Sequence, residues 1–187
     1  HGIHYIANFN GVQEYYEIVV ATETMSTADW VKANLFSIAM QAFHHLGLLR
    51  CFAVYLRYEH AIDYCVFYDR LLSFILSADG TLMQKLLTGF EERLRDTKTG
   101  DWTYVDKKFG RYGWYFEEAL FLELICSGEG FWDDLAAFLD DFPIDEDIAR
   151  ALLRYQRFIV RRPNMQTLSA DFPFDFYTYF DRIYNGK

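Results

Sequence analysis

Five side chains in the first third of the chain have the types and spacing to do chemistry. In RYEH (57–60), Arg57, Glu59 and His60 place a fixed cation, a carboxylate and a titratable ring together at a predicted helix end. A Glu beside a His is a pairing that general acid–base catalysis uses. His44 and His45 are adjacent. On a helix neighbours diverge by about 100°, so the two cannot grip one metal ion together and each acts alone. The competing reading of 57–60 is structural: Arg57 and Glu59 solvate a helix terminus and His60 sits favourably at its negative pole. His44, His45, Arg57, Glu59 and His60 therefore form the one expected polar site, and no residue is assigned as catalytic, cofactor-binding or metal-ligating.

Other groupings fail on spacing. Cys51, Cys65 and Cys126 stand 14 and 61 residues apart, whereas a zinc ion or iron-sulfur cluster collects thiolates at about 2.3 Å from closely spaced positions. Small buried apolar side chains are the expectation for all three. Asp133-Asp134, Asp140-Asp141 and Asp145-Glu146-Asp147 lack the alternating oxygen ligands around a Gly turn that calcium loops need. Asp133, Asp134, Asp145, Glu146 and Asp147 fall near predicted helix starts, where negative charge is favoured. CSGEGF (126–131) follows a helix rather than a strand, which rules out a nucleophile elbow or phosphate-cradling loop. A small hydrolytic or metal-dependent enzyme built on Glu59, His60 and His44 or His45 would lack a nucleophile or a third paired ligand.

The elements that position these residues follow from periodicity. Residues 12–25 carry the β-branched run Ile18-Val19-Val20 and end in Thr-rich sequence, which suits an extended arm. From Ser26 or Thr27 as N-cap, apolar residues recur at helical spacing to Leu46, where Gly47 ends or kinks the helix. Further helices are predicted at 48–58, 64–77, 81–95, 116–125, 131–142 and 145–160, with a short aromatic one at 174–184. Residues 97–113 mix Gly, charge and aromatics as a loop or small hairpin would, and the chain alternates briefly after Pro163. Trp30, Phe36, Phe43, Leu71 and Phe74 are the expected core. The fold class is all-α: a compact bundle of about seven helices with short extended segments at the N- and C-terminal ends. Residues 1–25 form the arm and 26–187 the helical domain.

Composition bounds what such a bundle does. The 187 residues suit one domain that buries about 70% of its unfolded surface. A net charge of −9 without a basic stripe excludes nucleic-acid binding. The longest apolar stretches, such as LFSIAMQAF (35–43), are too short to span a bilayer, so no membrane contact is expected. Three unpatterned cysteines and no secretory signal make a reducing cytoplasm the expected setting. His1-Gly2 in place of Met reads as a tag remnant and the chain as an excised or processed segment. Aromatic residues reach 19%, and large rings must fill a core or a surface that another protein mass covers.

The run EIVVATETMSTADWVKANLFSIAMQAFHHLGLLRCFAVYLRYEH (17–60) and the FYDRLL (67–72) after it resemble the region that follows the barrel in cobalamin-binding radical-SAM proteins. DWTYVD (101–106), LLRYQ (152–156) and DFPFDFYTYF (171–180) agree with the same C-terminal helical region. The resemblance implies a parent with a cobalamin domain and a barrel whose CxxxCxxC motif holds an iron-sulfur cluster and S-adenosylmethionine. This chain matches the extension beyond them and contains no CxxxCxxC, so none of those cofactors is expected to bind here. The implied role is an accessory domain packing beside or capping the catalytic barrel of the parent and not catalytic alone, with the barrel as partner. Self-association is expected when the domain is excised. A free-standing helical interaction or dimerisation module is the alternative.

Overall fold

Ser26 turns the chain from extended to helical. Its Oγ accepts the Asp29 backbone N–H at 3.1 Å, and its own N–H donates to Asp29 Oδ2 at 3.1 Å, a reciprocal capping box that opens α1 (Thr27–Met40). The computed structural model describes residues 2–6, 14–96, 102–160 and 169–186, with 2–6 and 14–17 described by their backbone. A five-residue π-helical turn, Gln41–His45, continues α1 and is followed by α2 (Arg50–His60), α3 (Tyr64–Ser77) and α4 (Leu82–Arg95). The second half contains α5 (Phe116–Cys126), α6 (Gly130–Leu139), α7 (Glu146–Ile159) and α8 (Phe176–Tyr184). The protein is thus mainly helical, as its periodicity predicts.

Counting Ser26, side-chain N-caps fix half of the eight described helix starts. Thr81 accepts from Gln84 N–H at 3.2 Å, Asp145 from Asp147 and Ile148 at 3.0 and 3.2 Å, and Asp175 from Thr178 at 3.0 Å. At the end of α2 the chain leaves through Ala61 at φ +54°, a left-handed position usually filled by Gly.

The helix α1 lies at the centre, packed on α3, α4 and α5, while α7 covers α2 and α6. Phenylalanine fills the interior: Phe90 stacks on Phe116 with centroids 4.6 Å apart, and Phe67 meets Phe138 at 5.5 Å and Phe142 at 5.3 Å. Trp30, Phe43 and Leu71 are buried as expected, but Phe36 and Phe74 are half-buried and pack against the rim of the core. Phe174 is the one exposed phenylalanine among the described residues. Most of the described phenylalanines are therefore internal, whereas Tyr58, Tyr112, Tyr115, Tyr177 and Tyr184 are exposed.

Two other expectations change. Cys51 is buried, whereas Cys65 and Cys126 are exposed, because they sit in the first turn of α3 and at the last residue of α5 on the sides facing away from the core. The arm carries an antiparallel hairpin, β1 (Gly2–Ile6) with β2 (Glu14–Ile18), in register Gly2 to Ile18 and Ile6 to Glu14. β2 ends at Ile18, before the other two residues of the predicted strand centre. Val20 instead drops into the core beside the start of α1, leaving Val19 exposed. Of 97–113, residues 97–101 lie outside the described residues. The rest closes on an antiparallel bridge between Tyr104 and Trp114 around a 3₁₀ turn, Lys107–Phe109. The alternation after Pro163 also lies largely outside them.

Candidate functional site

The five polar residues separate into two places. His44 stands on the π-helical turn, where the backbone departs from α geometry and Leu46 N–H reaches Gln41 O at 2.9 Å. Single π turns inside helices recur at functional sites because they re-aim one side chain. Here the side chain re-aimed is His44, whose Nδ1 lies 2.9 Å from the Oη of fully buried Tyr68. Burial pushes the Tyr68 phenol up, and burial, with His45 and Arg50 nearby, pulls His44 below the usual histidine range. Both shifts favour neutral groups, so the phenol and the imidazole share a hydrogen bond between uncharged partners. Tyr64 and His45 set their ring edges against His44 at 5.2 and 5.6 Å. The turn thus presents a neutral imidazole in an aromatic setting. No nucleophile accompanies it: Cys51 is buried and its thiol is pushed up to about 12 by desolvation.

A buried amide holds this turn in place. Gln156 of α7 is fully buried, donates through Nε2 to Gly47 O at 2.5 Å and accepts the Cys51 N–H through Oε1 at 2.8 Å. Gly47 takes φ +90°, which a side chain would strain. One side chain therefore fixes both ends of the link between the π turn and α2.

Arg57, Glu59 and His60 lie at the end of α2. Arg57 pairs with Asp63 at 2.7 Å at the start of α3. Glu59 faces the other way and accepts the Tyr179 O–H at 2.7 Å, and His60 packs on Tyr55 at 5.9 Å. The Glu-His acid–base pair suggested by adjacency does not form, because the two side chains engage different rings. Glu59 instead lines a shallow cleft between α2, the first turn of α7 and the start of α8, walled by Tyr55, Tyr179, Ile148 and Phe176. Desolvation, and then the Glu59 bond, push the Tyr179 phenol up.

A third polar cluster was not legible in the sequence. Glu123 of α5 is buried, accepts the Tyr104 O–H at 2.7 Å and is capped by the Lys108 ammonium. Desolvation and the Glu123 bond push Tyr104 up to about 12; burial, the largest single influence, pulls Lys108 down, but its bond to Glu123 and the nearby charges of Glu123 and Asp106 together raise it. The cluster pins the 102–115 segment to α5. Its one advance signal is a Glu within the apolar run FLELIC (121–126).

Among the described residues, no group of three His, Cys, Asp or Glu side chains is placed to hold a metal ion. No helix there is long and apolar enough to cross a membrane.

No family model matches the chain. Two curated proteins are similar to it. Over 89% of this chain and 28% of its own length, one is 24% identical: the cobalamin-dependent radical SAM methyltransferase TokK of Streptomyces tokunonensis. The other, also 24% identical, covers 81% of this chain and 25% of its own length: the 2-(S-pantetheinyl)-carbapenam-3-carboxylate methyltransferase of Streptantibioticus cattleyicolor. The chain thus spans about a quarter of the length of the relatives it matches.

Proposed function

We propose that this chain is a helical accessory domain of a radical-SAM, cobalamin-dependent methyltransferase, packing beside or capping the catalytic barrel and supplying none of its cofactor ligands. The observation that carries this reading is the asymmetry of coverage: nearly all of this chain is similar to about a quarter of a methyltransferase. The donor chemistry agrees. Cys51 is held protonated in the core, Cys65 and Cys126 stand on separate helices, and these residues do not fit an iron-sulfur cluster. The 26–187 body is the domain proper, and the arm of residues 1–25 runs toward the barrel. In this reading the π turn and the α2 end contribute shape and hydrogen bonds rather than a reaction.

Two measurements test the reading together. The coding sequence adjoining this segment should contain a CxxxCxxC motif. The longer polypeptide should take up a four-iron cluster on anaerobic reconstitution, while the 187-residue chain alone takes up none. A full equivalent of cluster iron on the isolated chain, or flanking sequence without that motif, overturns the proposal.

A further inference from the structure

The cleft at the end of α2 has two kinds of wall. One is aromatic: Tyr55 and Tyr179 meet at 5.9 Å with planes tilted by 46°, and buried Phe176 lies beneath them. The other is acidic. Glu59 spends Oε1 on the Tyr179 hydroxyl and has no partner for Oε2 among the described residues. Asp175 lines the same cleft, held below the usual carboxylate range mainly by its bonds from Thr178. Asp145 stands near enough to raise the Tyr55 phenol, after burial and Glu59.

The charge balance decides what such a cleft attracts. The amino ends of α7 and α8 point toward it, each worth about half a positive charge, but their caps are Asp145 and Asp175. Glu59 and the carbonyl end of α2, about half a negative charge, add to the acidic side. The sum is negative by about two and a half charges. Arg57 is turned away toward Asp63, and among the described residues no basic side chain lines the cleft; Arg182 acts on Asp175 from farther along α8, and His60 packs on Tyr55 without lining the cleft. A bare metal ion would require oxygen ligands gathered at one point, and these carboxylates are spread around rings. Ring faces beside a carboxylate suit a cation with an apolar skin.

We propose that this cleft binds a small organic ammonium ion, its charged head against the Tyr55 and Tyr179 rings beside Glu59 and its alkyl part against Ile148 and Phe176. Choline chloride is the probe, and its uncharged isostere 3,3-dimethylbutan-1-ol, at matched ionic strength, is the comparison. Aromatic-selective NMR of the full 187-residue chain should show saturable shifts at Tyr55 and Tyr179, with choline binding about tenfold tighter than the alcohol. Glu59→Gln should weaken choline about tenfold and leave the alcohol unchanged, and Tyr55→Leu should weaken both. An unchanged thermal transition in Glu59→Gln shows that the fold is intact. Equal binding of the two probes, shifts confined to other tyrosines, or undiminished choline binding by Glu59→Gln overturns the site. None of these outcomes bears on where the iron-sulfur cluster lies.

Discussion

His44 and Gln156 act oppositely in the fold, one titratable and half-buried, the other neutral and fully buried. Because burial lowers the His44 pKa, the unfolded chain takes up this proton at higher pH than the folded one. The stabilisation from neutral His44 is complete above the unfolded value of about 6.5 and is lost as pH falls through the lower folded value. The urea midpoint should therefore fall between pH 7.5 and 5, and His44→Gln should flatten that dependence. An identical slope in both proteins would assign the effect to other groups. Gln156→Leu removes the bonds to Gly47 O and Cys51 N while preserving much of the volume. Stranding those groups should cost about 3 kcal/mol in urea unfolding. Neither role was readable in advance: the sequence puts His44 beside His45, but its partner Tyr68 lies 24 residues away, and Gln156 looks like any polar residue on a helix.

Helices were the most legible layer, because Ser26, Thr81, Asp145 and Asp175 signal starts chemically and apolar spacing carries each helix onward. Boundaries failed where backbone geometry is not a propensity. The π turn at Gln41–His45 reads as ordinary helix, since its extra residue per turn leaves no mark on composition. The hairpin partner β1 carries Ile3, Tyr5 and Ile6, types enriched in strands, but whether so short a run pairs with β2 is decided by tertiary contact rather than by composition. Substituting Ser26 by Ala should cost about 1 kcal/mol by removing the capping box. Ala61→Gly should have the opposite sign. At φ +54° the methyl group is strained, and glycine should stabilise the protein by about 0.5–1 kcal/mol despite the freedom it adds to the unfolded chain. A loss of stability in that variant would mean the Ala61 methyl contributes packing that outweighs the strain.

For the molecule as a whole, the hairpin is the feature most open to a second protein mass. β1 and β2 pair with each other and with no third strand among the described residues, and unpaired sheet edges recruit further strands. The full chain should sediment as a dimer or larger species and a chain lacking residues 1–24 as a monomer; monomers in both cases would show the edges are already protected. With most phenylalanines internal, the hairpin edge and the exposed tyrosines are the surfaces that self-association would use. The Gln156 clamp also dictates an order of events in time. Its two bonds join positions 105 and 109 residues apart, so closing them requires most of the intervening chain to be collapsed already. During synthesis Gly47 and Cys51 leave the ribosome long before Gln156 exists, so the link between the π turn and α2 gains these two bonds only when α7 docks. Variants at Gln156 should therefore speed unfolding while scarcely slowing folding, the kinetic mark of a contact made after the barrier has been crossed.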